Sequence, residues 1–365
     1  MAFLKKLFGA KPISNHQDFW NWFQKNEKRF FYIVKSGKGI ERVFFRALGP
    51  KLKELRTGYY YLTGMADENT AELIFTADGD ITNIVFVEEL IAAAPELERW
   101  KFTAHKQASA IENVGVKMHD LSFAKGTLFF YAIDNKEYPD EIDICIVHEA
   151  GTKENEKEVS QGVYLFLDIF LGELAFIEEI DNLSIISPQA SNQDLVPIEK
   201  LKNYLKWRKK EFVEKYEGTR RNTENDSHQS FELTLENGDP LFALFNVDLL
   251  KWDSRASHPW IVDIEMPYEG ENGLPDDTLM NTLNQVEDEL VAALPDQEGY
   301  LFLGHETGQN TRLIFFACKE FRKPSKILSD FQQKYQPNQT IKYSIYKDKY
   351  WRSFNRYERW YLSSL

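Results

Sequence analysis

The order of its apolar runs constrains this chain more than any other feature. Twice, on either side of a polar stretch, they read as strand, helix, two strands, helix, strand. In the first copy, Ser14 with Gln17 forms a capping box, and Phe19, Trp20, Trp22 and Phe23 give an amphipathic helix with an aromatic face. Phe30 to Lys35 reads as a strand and Arg42 to Arg56 as a helix that Pro50 kinks or splits. Tyr59 to Leu62 and Ala71 to Thr76 pair around Asp67-Glu68-Asn69, and Asp78-Gly79-Asp80 closes the second. A helix from Val85 to Ala94 stops at Pro95, and Trp100 to Lys106 is the last strand. In the second copy, a strand pair (Phe231 to Leu235, Phe242 to Asn246) precedes the strand Trp260 to Glu265 and the helix Thr278 to Leu294. The strands Tyr300 to Leu303 and Leu313 to Cys318, the helix Pro324 to Tyr335 and the strand Ile341 to Tyr346 complete it. This element order predicts an α+β fold of at least two ferredoxin-like (split βαβ) modules, antiparallel sheets with helices packed on one face.

The middle stretch adds a hairpin (Thr127 to Ile133, Glu141 to Glu149), a charged loop (Gly151 to Glu158) and an apolar helix (Val163 to Leu171) stopped by Gly172. A strand (Ala175 to Ile186) and a long helix (Ile198 to Tyr216) follow. Gly218 to Ser230 holds almost no apolar residue. The expected organisation is an N-terminal domain over 1–217, comprising a module at 28–107 and an extension at 108–217. A linker at 218–230 and a C-terminal domain at 231–365 with an aromatic and basic tail complete it. Gly58-Tyr59-Tyr60-Tyr61-Leu62 echoes Gly299-Tyr300-Leu301-Phe302-Leu303, and both fall in the central hairpin of their module. A second echo, Glu89 to Pro95 against Glu289 to Pro295, falls in different helices, so simple tandem duplication is not implied.

Bulk charge narrows the partners. The 365 residues carry 44 Lys+Arg against 57 Asp+Glu, a formal net charge of −13. An acidic surface opposes general nucleic-acid binding and attraction to anionic lipid. No apolar run approaches the ~18 residues of a membrane span. Met1 to Gly9 is basic and amphipathic but lacks the apolar core and cleavage site of a signal peptide, so a frayed or packed tail is expected rather than a membrane-touching helix. The two cysteines, Cys145 and Cys318, lie in apolar strand-like runs and read as inert buried thiols. A cytoplasmic location follows as the expectation.

The C-terminal stretch carries a resemblance. Trp260-Ile261-Val262, Asn272-Gly273-Leu274-Pro275, Glu287-Asp288-Glu289-Leu290, Gly304-His305-Glu306-Thr307 and Arg312-Leu313-Ile314-Phe315-Phe316 together resemble the bacterial domain-of-unknown-function family 695, over about Phe231 to Tyr350. That family is similar in fold to the regulator of ribonuclease E activity B, an acidic ferredoxin-like protein that binds and inhibits a nuclease. Leu73 to Gly79, Ala93 to Leu97 with Trp100, and Leu171-Gly172-Glu173 resemble the domain that often precedes it. The resemblance implies a fold and an analogy, and supplies no catalytic residues.

The candidate chemistry is sparse. Asp253, Ser254, Ser257 and His258 share one loop, but a serine nucleophile needs a base and an orienting group converging in space, so a hydrogen-bonded turn is expected. His305-Glu306 reads as a polar hairpin tip, without the second histidine of a helical zinc motif. His148-Glu149 reads as a surface strand end; Asp276-Asp277 reads as a helix cap; Glu178-Glu179 and Glu287-Asp288-Glu289 lack the shared pocket that acid–base work requires. Lys35-Ser36-Gly37-Lys38-Gly39 fits neither nucleotide-loop spacing. The tail is the outlier: Trp351, Arg352, Arg356, Tyr357, Arg359 and Trp360 interleave aromatics with cations. Packing of the rings under outward cations is the leading reading, ahead of protein contact, with single-stranded RNA last because of net charge.

The functional expectation is a non-enzymatic protein-binding or regulatory module, with no cofactor and no metal, whose partner is another protein. Its interaction surface would be the open sheet face or a domain groove. The alternatives are a hydrolase or small-molecule enzyme with a site gathered from dispersed His, Asp and Glu, and a ribonuclease regulator by fold analogy.

Overall fold

A computed structural model describes residues 12–191 and 193–363. Met1 to Gly9 lies outside them. The described residues pack as two compact units: 12–110 with 167–176, and 111–166 with those from 177 to 363.

The first unit begins with helix α1 (His16–Ser36). Its N-cap is Asn15, not Ser14: the Asn15 side chain accepts from the Asp18 N–H at 2.8 Å, while the Ser14 hydroxyl donates to the Asp18 carboxylate at 2.7 Å. Phe30 to Lys35, expected as a strand, is the end of this helix. Phe19, Phe23, Phe30 and Val34 are buried along one helical stripe. The stripe overrides the local strand preference of Phe30-Phe31-Tyr32-Ile33-Val34 because every ring on it finds an aromatic neighbour. Phe23 meets Trp100 with centroids 5.1 Å apart, and Trp20 meets Phe102 at 4.5 Å. Gly37, in the left-handed region at φ 66°, ends the helix. A single π turn (Ile40–Phe45) leads into α2 (Arg46–Leu55), which contains Pro50.

Strands β1 (Tyr60–Met65) and β2 (Ala71–Thr76) pair antiparallel, as expected. Helix α3 (Ile81–Ala92), capped by Asp80, crosses to β3 (Trp100–Ala104), which pairs parallel to β2. The first sheet therefore has three strands and a parallel pair, not the expected four antiparallel strands. The strand that would separate β2 from β3 is the segment that α1 absorbed.

The second unit opens with a short hairpin, β4 (Gly115–Met118) and β5 (Leu121–Ala124). A four-stranded sheet follows, in the order β8-β7-β6-β9, from β6 (Leu128–Ile133), β7 (Asp143–His148), β8 (Asn182–Ile186) and β9 (Val196–Pro197). β7 is buried on both faces at Ile144, Cys145, Ile146 and Val147, as central strands of covered sheets are. Helices α4 (Glu156–Leu171) and α5 (Glu173–Glu179) connect β7 to β8, which pair parallel. The expected strand from Ala175 is thus half helix. Helix α6 (Leu201–Tyr216) ends this part.

The remaining chain builds a six-stranded sheet, β10-β11-β13-β14-β12-β15. Its strands are β10 (His228–Thr234), β11 (Pro240–Asn246), β12 (Trp260–Pro267), β13 (Tyr300–Gly308), β14 (Thr311–Cys318) and β15 (Lys342–Lys347). A one-turn helix α7 (Val247–Leu250) follows β11. With α8 (Asp277–Ala293) after β12 and α9 (Arg322–Tyr335) after β14, strands β12 to β15 have the split βαβ order. All neighbours are antiparallel, and the β10–β11 hairpin extends the β13 edge. The α+β class holds, but here the sheet is not open on its second face. The tail segment and its helix α10 (Asn355–Ser363) lay Trp351, Phe354 and Tyr357 on Phe245, Leu301, Leu303, Phe315 and Ala317.

Gly304 sets the orientation of β13. A bulge falls between Phe302 and Gly304, with Gly304 at φ 149°. A Cβ there would sit 2.1 Å from the Leu244 carbonyl oxygen of β11. The extra residue resets the alternation, so His305 faces α8 and Glu306 faces the tail.

Candidate functional site

The tail surface of the second unit gathers most of the residues that the sequence singles out. After β15, the Asp348 carboxylate accepts from the Arg352 N–H and the Ser353 N–H, each at 2.9 Å, and so starts the turn into α10. Trp351, left-handed at φ 54°, donates its indole N–H to the His258 carbonyl at 2.9 Å and is buried. Tyr357 stacks on Phe245 with centroids 3.7 Å apart and is fully buried. Trp360 is half-buried against Phe231 and Tyr357.

The cations point the other way. Arg352, Arg356 and Arg359 are all exposed, at the i, i+4, i+7 spacing of one helical stripe. Arg352 pairs with the buried Glu141 at 2.9 Å and lies over the Tyr138 ring, 4.8 Å from its centroid. Arg356 pairs with Glu306 and donates to the Tyr357 hydroxyl at 2.7 Å. Arg359 donates to the Asn355 carbonyl at 3.3 Å and has no ion-pair partner among the described residues.

Beside the stripe runs a groove of about 450 Å³, lined by Tyr138, Tyr350, Arg255, Arg359, Asp253 and Glu358, with Glu137 and Asn355. The Tyr138 and Tyr350 rings lie 5.0 Å apart, tilted by 52°. Tyr350 is fixed by donating to Asp140 at 2.6 Å, and Tyr216 donates to the same carboxylate at 2.8 Å. Burial would raise the Asp140 pKa, but Lys215 and the two tyrosine hydroxyls outweigh it and hold it below the usual range. Arg255 is tied to the Leu250 carbonyl at 2.8 Å and to Glu358 at 3.7 Å, so two tyrosine faces and Arg359 are what the groove offers to a carboxylate or an aromatic side chain of a partner.

The other candidates resolve separately. His305 and Glu306 do not form a hairpin tip: they lie within β13, and the turn is Gln309-Asn310. They face opposite ways, as neighbours on a strand must. His305 meets Glu287 at 2.9 Å, and Glu287 also pairs with the buried Arg312 at 2.8 Å. Burial raises the Glu306 pKa against the pull of Arg356. In the Asp253–His258 loop, the Ser257 hydroxyl lies 2.8 Å from His258 Nδ1 and donates to the Ser254 carbonyl at 2.6 Å. Asp253 lines the tail groove instead. Burial, with help from Lys319, lowers the His258 pKa to about 4. Asp276 caps α8, accepting from the Leu279 N–H at 2.8 Å. His148 is not a surface strand end: it is buried, and its Nδ1 accepts from the Ala150 N–H at 3.1 Å. Both cysteines are buried and unpaired, and burial raises both thiol pKa values. Among the described residues no three His, Cys, Asp or Glu side chains gather as a metal ion would need.

Sequence reasoning missed one buried polar centre, in the first unit. Glu173 accepts from the Thr76 hydroxyl at 2.5 Å and the Gly79 N–H at 3.1 Å, with His105 Nδ1 at 3.4 Å. Burial pushes its pKa up, but His105, Thr76 and Gly79 together bring it down to about 2. The signal available in sequence was a lone Glu directly after the helix-stopping Gly172. Nothing there announced its partners about 70 and 100 residues upstream.

The fold and the tail groove define an α+β protein with an arginine- and tyrosine-lined surface. Residues 236–357 match the sequence model of a family of unknown function (DUF695), which bears out the resemblance carried by the C-terminal motifs. Comparisons with curated proteins and with solved structures return no match. No single helix among the described residues is long and apolar enough to cross a membrane.

Proposed function

We propose that the chain is a non-enzymatic protein-binding module and that its recognition surface is the tail groove with the arginine stripe beside it. One observation carries this reading: Arg352, Arg356 and Arg359 stand exposed in a row on a segment whose underside, Trp351, Phe354 and Tyr357, is locked into the core. A rigid, pre-ordered cationic row loses little conformational freedom on binding, and arginine and tyrosine are enriched among residues that dominate interfaces. On a chain of net charge −13, a local basic row selects an acidic patch on its partner, while the net negative charge keeps copies of the chain apart. The partner is a protein presenting carboxylates next to an aromatic or apolar side chain. The nuclease-regulator analogy is one special case.

The test is quantitative capture from a lysate of the source organism with the full chain and its Arg359→Glu and Tyr138→Ala variants. Arg359 is exposed, so its variant should melt within ~2 °C of the parent, whereas Tyr138→Ala also removes ring contacts with Tyr350 and Arg352 and should melt a few degrees lower, about 2–4 °C, while staying folded. The reading expects one stoichiometric partner, reduced at least about tenfold by Arg359→Glu. Recovery of the same partner at equal yield with both variants would overturn it.

A further inference from the structure

On the other side of the strut formed by residues 347–352 lies a second cavity that the tail groove does not use. Its volume is about 280 Å³, and Trp260, Phe212, Phe321 and the exposed Val213 supply most of its apolar wall. Its polar groups are mainly cationic: Lys209, Lys319, Arg322, Lys347 and Lys349 line it, against Glu178, Glu179 and Glu320.

The pairing within this set leaves the cations in excess. Lys347 and Lys349 are both buried or nearly so, and they share one carboxylate, Asp181, each at 2.7 Å. Glu320 is turned to other work: it accepts from the Tyr300 hydroxyl at 2.6 Å and from the Arg322 N–H at 2.6 Å. Lys209 pairs with Glu179 at 2.9 Å, and Arg322 reaches Glu178 at 3.4 Å. Lys319 is exposed at the rim without an ion-pair partner among the described residues. Ammonium groups also lie over the rings, Lys349 at 4.5 Å from the Phe212 centroid and Lys347 at 5.9 Å from that of Trp260.

We infer that this cavity is a binding site for a small organic anion: one ring or an equally compact apolar body, carrying a single carboxylate or phosphate. The volume is near the lower end of ligand pockets, about 300 Å³, which fits one ring and excludes a dinucleotide. The apolar wall takes the body, and the anion sits toward Lys319, where a charge remains unanswered. A short partner peptide would overrun a cavity this small. The inference goes beyond the tail-groove reading and stands apart from it, because Tyr350 faces the groove and Lys349 faces this cavity.

Calorimetric titration of the full chain tests it with four probes: phenyl phosphate, benzoate, inorganic phosphate and neutral benzyl alcohol. One of the two aromatic anions should bind saturably at one per chain. Inorganic phosphate and benzyl alcohol should each bind at least about tenfold more weakly, since each lacks half of the recognised chemistry. Lys319→Gln should weaken the aromatic anion about two- to fivefold, the range of one exposed charge contact. Val213→Trp, which fills the cavity from an exposed position, should abolish binding. Neither variant touches the core, so both remain folded and informative. Absence of saturable heat with both aromatic anions would overturn the site. So would binding unaffected by both variants, or inorganic phosphate binding as tightly as phenyl phosphate.

Discussion

Glu173 and His258 are buried titratable groups whose pH windows do not coincide. Glu173 is held at about 2 against an ordinary 4.5. Its ionised form therefore stabilises the first unit above about pH 4.5, by roughly 3 kcal/mol, and that contribution disappears as pH falls toward 2. His258 is lowered to about 4 from 6.5. Unfolded chains take up its proton from about pH 6.5 downward while the native state refuses it until about 4, so the second unit loses roughly 3 kcal/mol across that interval. Acid titration followed by hydrogen exchange should show the second unit loosening first. His258→Gln should flatten the stability profile between pH 6.5 and 4, and Glu173→Gln should flatten it only below 4.5. Identical profiles for both variants and the parent would contradict these assignments. Arg312 gives a third expectation: Arg312→Met leaves Glu287 with His305 as its one ion-pair partner among the described residues and should cost about 3–5 kcal/mol in urea unfolding. Adding Glu287→Gln should restore part of it. The tail was legible at this scale, because aromatics at 351, 354 and 357 alternate with arginines at 352, 356 and 359 at helical spacing. The Glu287–His305–Arg312 group was not, since it needs a bulge to aim His305 at α8.

That bulge is an element-scale device. The Gly304→Ala substitution would put a methyl group 2.1 Å from the Leu244 carbonyl, forcing β11 and β13 apart. It should cost at least about 2 kcal/mol. Gly64→Ala, in β1 where nothing lies within 4 Å of the added carbon, should change stability by under ~1 kcal/mol. Equal effects would show that Gly304 is not required by backbone proximity. Elements whose period agreed with their tertiary role were readable: β1, β2, β6, β7, α8, α9 and the strands of the last sheet. Those that failed share one cause. Phe30 to Val34 is rich in strand formers, and Ala175 to Ile177 carries two, Phe176 and Ile177, yet each lies on a helix whose register is set elsewhere: by the aromatic stripe from Phe19, and by Glu173 after Gly172. Local propensity lost to distant packing in both.

For the whole molecule, the notable feature is what the six-stranded sheet does with its second face. Helices α8 and α9 take one side, and the tail takes the other, so the proposed recognition surface is not a bare sheet but the arginine row on the tail's outer side. The reading of an open-sided sheet failed because the covering tail lies beyond the repeating pattern; Trp351 and Phe354 ahead of α10 and Tyr357 within it are the rings it buries on the sheet. Ending the chain before Asp348 should therefore expose Phe245, Phe315 and Leu303 and lower the solubility and melting temperature of the second unit. A truncated chain that melts like the parent would contradict the packing role. The most direct measurement is photo-crosslinking from an amino acid placed at position 138, at the rim of the groove, with a matching one at the exposed Lys53 in the first unit as control. Our account predicts one dominant crosslinked protein from position 138, suppressed by Arg359→Glu, and none from position 53. The same crosslinks from both positions, or a partner captured only through position 53, would contradict it.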